Sequence, residues 1–333
     1  MRITIKIVLW LLGGALLACV AGWLALQFSP WPGVLLIRQV FDRGAERASA
    51  ALARHVPPEV TERLNERYEA GSPDGKLDLY YPRALAGTDR RLTTVVWLHG
   101  GGFVSGRKED IANYCRILAG RGFTVASVDY TIAPEARYPT PVRQANAALA
   151  WLVRNAPQLH VDPERLVLAG DSAGAHIAAQ LTVAVSSPAY ARQLGLTPAI
   201  TARQQAGVLL YCGPYGVDGL NLDGPFGGFL KTVLWSYFGR KDFLADPLLA
   251  QFSVTRHVTA EFPPAFISAG NGDPLLPQSV ALAEKLRSLG VKVDTLFFPA
   301  DRRPALGHEY QFNLDDEAGR IALEKSVTFL SQL

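Results

Sequence analysis

The stretch "RLVLAGDSAGAHIAAQL", Arg165 to Leu181, constrains the fold more than any other part of the chain. An apolar, β-favouring run ends in Gly170-Asp171-Ser172-Ala173-Gly174, and a helix-forming, alanine-rich run begins at once. Only small residues flank Ser172, so the chain can reverse sharply there. Such a turn pushes the serine hydroxyl clear of the sheet edge. A strand that passes directly into a helix in this way also commits the chain to layered packing of helices on a sheet.

The rest of the sequence keeps that rhythm. Lys76–Tyr81, Thr93–Leu98, Phe123–Asp129, Arg165–Ala169, Gly207–Cys212, Ala265–Ala269 and Val291–Phe298 are short β-branched or aromatic runs. Helix-length stretches such as Pro141–Asn155 and Pro277–Leu289 separate most of them. The alternation predicts an α/β fold with a mainly parallel sheet flanked by helices, its functional loops at the strand C-terminal ends. Two segments break the rhythm, Arg38 to Gly71 and Gly213 to Phe262. Both carry helix-like apolar pieces, among them Phe229, Leu230, Trp235 and Phe238, suited to a helical cap over the sheet. The expected organisation is an anchor over residues 1–32, a linker and first part of the cap over 33–75, and a catalytic domain over 76–333 with its cap insertion at about 213–262.

At 333 residues, with 49% hydrophobic and 19% charged side chains, the chain can bury a large core. A net charge of +3 with scattered arginines gives no basis for nucleic-acid binding. Cys19, Cys115 and Cys212 are too few and too dispersed for a disulfide framework or a zinc site, and the latter two read as small core residues. The sequence carries no signal for oligomeric state.

From Ile7 to Phe28 the chain is uncharged and, as a helix rising ~1.5 Å per residue, long enough to cross a ~30 Å hydrocarbon core. Arg2 and Lys6 precede the run, Ser29-Pro30-Trp31-Pro32 stops it, and Trp10, Trp23 and Trp31 suit interfaces. The reading is a single-pass anchor. A cleaved signal is the first alternative, opposed by the length of the run and the lack of a small-x-small site at Gln27–Pro30. A lipoprotein signal at "LLAC" is the second, opposed by the apolar chain continuing past Cys19. Arg2 and Lys6 favour a cytoplasmic tail and an outward, periplasmic or extracellular, catalytic domain, whereas Arg38, Arg43 and Arg47 pull the other way.

A serine hydroxyl is a weak nucleophile near neutral pH and needs a base, usually oriented by a carboxylate. With the elbow at Ser172 the order is serine, acid, histidine. His308, in "GHEYQF" after the last strand, fits the base. His257 falls inside the cap segment, and His176 lies one turn along the elbow helix as a packing residue. Asp273, in "AFISAGNGDPLLP", fits the acid, the competing reading being a helix N-cap. Asp294 is mid-strand and Asp301 lies beyond the last strand. The remaining feature is "TTVVWLHGGGFVSG", Thr93 to Gly106, where three glycines close a strand. Bare backbone N–H groups of Gly101 and Gly102, with that of Ala173, can receive a developing oxyanion without a Cβ in the way. His99 reads as a support for that loop.

Taken together, "HGGGF", "DYTIAPEARYPTPVRQANAALAWL", "GDSAG", "GDPL" and the late histidine resemble the hormone-sensitive-lipase-like branch of the α/β-hydrolases, from about Lys76 to the C-terminus. The resemblance implies Ser172, Asp273 and His308 as a catalytic triad and Gly101, Gly102 and Ala173 as oxyanion donors. It also implies hydrolysis of small-molecule carboxylic esters with short to medium acyl chains, a cap over the site, and no metal or cofactor. Three departures bear on pocket shape: Thr131 in place of the arginine of the "DYRLAPE" pattern, Ala175 in place of a third glycine, and Glu309-Tyr310 after His308. A deacetylase or amidase using the same triad is the alternative within enzymes. A non-catalytic binding protein on the same scaffold would be marked by a lost triad member, and none is lost.

Overall fold

The computed structural model describes residues 2–218 and 220–333. Eight strands form one sheet: β1 (Val60–Arg67), β2 (Lys76–Pro82), β3 (Leu92–Leu98), β4 (Thr124–Val128), β5 (Val161–Asp171), β6 (Gln205–Tyr211), β7 (Ala265–Ala269) and β8 (Val293–Phe297). Eleven helices accompany them. They are α1 (Arg2–Phe28), α2 (Trp31–Leu52), α3 (Ala112–Gly120), α4 (Thr140–Asn155), α5 (Ser172–Ser186), α6 (Pro188–Gln193), α7 (Gly227–Phe238), α8 (Leu248–Phe252), α9 (Val254–His257), α10 (Leu276–Ser288) and α11 (Glu317–Ser331).

The spatial order is β1-β2-β4-β3-β5-β6-β7-β8, with β2 antiparallel to both neighbours and every pair from β4 to β8 parallel. Central strands are apolar throughout because helices cover both faces. Alternate residues serve opposite layers: Val96, Leu98 and Leu168 pack into the core that contains α4 and α5, and Val95, Trp97 and Val167 into the core beneath α3 and α11.

Within Arg38 to Gly71 the structure has two elements that the sequence rhythm does not separate. Helix α2 continues to Leu52, and β1 then pairs with β2 along the sheet edge. The strand VTERLNER is polar, with four residues exposed and none buried, as suits an edge strand, so it lacks the β-branched signal of its neighbours. Strand β5 likewise starts at Val161, ahead of the apolar run, through the polar Asp162–Glu164.

Between β6 and β7 the insertion carries α7, α8 and α9. It sits over the C-terminal ends of the strands on buried aromatic rings: Tyr237 stacks on Phe103 at 4.3 Å, and Phe252 stacks on His176 at 3.9 Å. Helix α2 joins this roof. Gly33 lies against Thr232 of α7, Phe41 meets Phe229 at 5.6 Å, and the Arg38 guanidinium donates to Val104 O at 2.7 Å and Ala133 O at 3.1 Å while pairing with Glu135.

Candidate active site

Strand β5 ends in Asp171, and Ser172 follows with φ +50°, a left-handed backbone that a non-glycine residue adopts at a cost of about 1–2 kcal/mol. The turn closes only because Gly174 is bare. A Cβ there would overlap Leu98 O and His99 O at the end of β3, so the first turn of α5 lies directly on the strand that carries the glycine loop.

The three residues singled out as nucleophile, base and acid come together. His308 Nε2 lies 2.9 Å from Ser172 Oγ, and His308 Nδ1 lies 2.8 Å from Asp273 Oδ2. They derive from the C-terminal ends of β5, β7 and β8, with β6 lying between β5 and β7 in the sheet. Asp273 also closes its own turn, accepting from Leu275 N at 2.7 Å; it is not the N-cap of α10, a position that Leu275 occupies without a side-chain cap, because the loop runs two residues further before the helix starts. Its carboxylate is fully enclosed. Burial works against a charged His308, but Cys212 and the Asp273 hydrogen bond offset it and hold the imidazole pKa well above 6.5.

The other histidines do other things. His99 is buried, stacked on Tyr130 at 4.1 Å, with Nδ1 2.8 Å from Gly100 O, and Tyr130 Oη donates to His99 O at 2.7 Å. It therefore braces the glycine loop. His176 is buried against Phe103 and Phe252 with Nε2 2.8 Å from Phe252 O, and burial lowers its pKa to about 4. His257 caps the cap: its Nε2 lies 2.9 Å from Ala250 O.

In the glycine loop, Gly101 has φ +109° and Gly102 has φ +60°. The Gly101 carbonyl accepts from Ser105 N at 3.0 Å and Val104 N at 3.2 Å, a tight turn that holds the peptide in place. Above Gly102 sits the edge of Phe229, 3.2 Å from where a Cβ would be, with Phe41 at 3.7 Å.

Three neighbours of the site are not legible as such in the sequence. Asp171 is buried beside the serine and accepts from Trp97 Nε1 at 2.8 Å. Burial and then the neighbouring Glu309 push the Asp171 pKa well above the carboxylate range. Glu309 has φ +58° and places Oε1 3.8 Å from His308 Nε2. Gly100 is bare because a Cβ would overlap the Asp171 carboxylate and fall 2.8 Å from Glu309 Oε1. Cys212, expected as a core residue, is buried yet has φ +45° at the end of β6. Its sulfur belongs to a group with Asp273 and His308 whose donor atoms lie within 4.8 Å of one another. Burial raises the thiol pKa to about 11. Its position directly after a central parallel strand is the signal that would have found it.

The parallel sheet, the serine turn and the histidine after the last strand define the class. The chain belongs to the α/β-hydrolase fold family, whose profile matches residues 95–302. An esterase of Gibberella moniliformis is 28% identical over 255 residues, covering 74% of this chain and 76% of that one. Among solved structures, esterase B of Lactobacillus rhamnosis superposes with a TM-score of 0.76 at 27% identity, covering 90% of this chain and 97% of that one. The esterase of Pyrobaculum calidifontis gives 0.71 at 25% identity, covering 90% and 93%. The protein is a carboxylesterase.

Proposed function

We propose that the enzyme cleaves short- to medium-chain carboxylic esters through an acyl-enzyme on Ser172. The observation that carries this reading is the hydrogen-bonded series Ser172 Oγ, His308 Nε2, His308 Nδ1, Asp273 Oδ2, at 2.9 and 2.8 Å. His308 takes the serine proton as Oγ attacks the ester carbonyl. The oxygen that gains charge is received by the N–H groups of Gly101, Gly102 and Ala173. His308 next protonates the departing alcohol, and water repeats the sequence on the acyl group, releasing the acid. Asp273 fixes the imidazole tautomer and stabilises its charged form.

Phe229 and Phe41 over Gly102 support a modest acyl pocket. Solved forms of the Lactobacillus rhamnosis esterase B are described as inhibited by C6-C4 and C4-C4 tributyrin phosphonate compounds, which fits that scale. Ser172→Ala should abolish labelling by a fluorophosphonate probe, and aryl butyrates and hexanoates should be cleaved faster than palmitates. Labelling that persists on another serine would overturn the mechanism, and a maximum at palmitate would overturn the pocket.

The reading includes a membrane anchor, with 1–32 as anchor, 33–75 as connecting segment and start of the cap, and 76–333 as the catalytic unit with its insertion at about 213–262. Over Trp10–Phe28 no residue of α1 is buried by the rest of the chain. An outward catalytic domain is supported by Arg2 and Lys6 on the short tail ahead of the span, against which Arg38, Arg43 and Arg47 stand behind it. Protease added to intact spheroplasts should digest the catalytic domain; protection until lysis would reverse the orientation.

A further inference from the structure

The surface beyond α1 is sparing with large apolar side chains. Among the described residues, seven are exposed there: Trp31, Leu35, Leu36, Val40, Leu64, Phe226 and Leu244. Only Leu64, on the edge strand, lies away from the roof. The first four are on α2, whose Val34, Ile37 and Phe41 face inward, and the last two flank α7 at its two ends. Clustered exposed apolar residues of this kind mark a surface that meets a protein or a membrane.

The joint to α1 decides which. Helix α1 ends at Phe28 and α2 begins at Trp31, so only Ser29 and Pro30 intervene. A joint of two residues cannot hold the catalytic unit away from whatever α1 enters. The end of α1 is also fastened to the roof: Lys241 Nζ donates to Gln27 O and Oε1, each at 3.0 Å, and lies over the Trp235 ring at 5.3 Å. A lysine on a tryptophan face suits the bilayer–water boundary. Beside it runs a 360 Å³ groove lined by the apolar Leu222, Trp235, Phe243 and Leu244 and by the charged Lys231, Lys241 and Asp242. Inward of Val40 and Leu36, the Phe41 and Phe229 rings meet at 5.6 Å in a closed seam that lies directly over Gly102.

We propose that the α2–α7 roof docks on the lipid bilayer that α1 spans, with Trp31, Leu35, Leu36, Val40, Phe226 and Leu244 in the interface. The seam then admits esters dissolved in the membrane, short acyl groups on lipophilic alcohols, rather than esters free in water. This rests on the reading of α1 as a membrane span.

The test uses the full-length chain in phosphatidylcholine vesicles, with Cys19→Ser to leave only the buried cysteines. Leu36→Cys and Leu244→Cys, with Glu284→Cys on exposed α10 as the reference, are each labelled with a fluorophore and titrated with brominated phosphatidylcholine. Quenching several-fold stronger at 36 and 244 than at 284 supports docking; equal quenching in protein that floats with the vesicles overturns it while leaving the anchor intact. Protein that does not float overturns the anchor, and docking with it. As a second readout, Leu36→Ser/Val40→Ser should keep kcat/KM on a water-soluble aryl butyrate within about twofold and lose at least about tenfold on a vesicle-dissolved acetate of a long-chain alcohol. An equal loss on both substrates overturns entry from the bilayer.

Discussion

Replacing Gly101 by alanine tests whether the glycine loop carries the transition-state charge. The added methyl would overlap Ser105 O and C, which cannot step aside because Ser105 N and Val104 N are hydrogen-bonded to Gly101 O. Its φ of +109° lies outside the left-handed well near +57° that alanine can visit. The peptide must therefore rotate and carry its N–H away. Losing one such donor costs about 10²–10³ in kcat, or roughly 2.7–4 kcal/mol of transition-state stabilisation. The local strain adds about 1–3 kcal/mol against folding and lowers Tm by about 1.5–4 °C. Gly102→Ala provides the contrast. Its φ of +60° is accessible to alanine for about 1–2 kcal/mol, and the nearest obstacle, at 3.2 Å, is the movable tip of Phe229. That variant should lose less than about tenfold. The assay is kcat/KM on an aryl butyrate alongside a thermal melt. Gly101→Ala retaining more than about a tenth of wild-type activity, or both variants falling together, would refute the reasoning.

Three further outcomes follow from the site. His308→Ala should lower kcat by about 10⁴–10⁶ and His257→Ala by less than about threefold; the reverse ranking in steady-state kinetics would move the base into the cap. Because His308 must be unprotonated to accept the serine proton and its pKa is held above 6.5, kcat/KM should fall as pH drops, with the midpoint on the alkaline side of 6.5. A pH profile with that midpoint below 6.5 would contradict this. Asp171 has a folded pKa above its unfolded one, so the native state keeps a proton that the unfolded chain has lost, and stability drains away as pH rises from about 4. Asp171→Asn mimics the protonated form, and its Tm relative to wild type should climb as pH rises above about 4; a flat difference would mean that the folded state does not raise the Asp171 pKa.

The parts legible in the sequence were those with local signals. The Arg165–Leu181 stretch contains its own strand, turn and helix, and the apolar strands announce themselves because both of their faces are buried. Ser172, Asp273 and His308 could be brought together on paper because each follows a strand. Strand β1 was not legible, since an edge strand exposes one side and here reads VTERLNER. The Asp171–Glu309 contact joins two distant loops, and only the left-handed turn at Glu309 aims it. Trp235 was read with Phe229, Leu230 and Phe238 as one apolar face of a cap over the sheet. It borders the outer groove with Lys241 instead, because helical periodicity gives a face but not which side of the roof that face occupies.

The acid pair beside the serine has a consequence for the end of the reaction. Asp171, Glu309 and Asp273 set three carboxyl groups around a single imidazole, so the surroundings of Ser172 carry no surplus of positive charge. An ester arrives neutral, but the acid that leaves is an anion. It departs into a field that repels it, which favours ejection over rebinding. Butyrate should accordingly be a feeble product inhibitor, and Glu309→Gln should make it a stronger one; inhibition constants that do not shift between the two proteins would show that the pair has no hold on the departing acid.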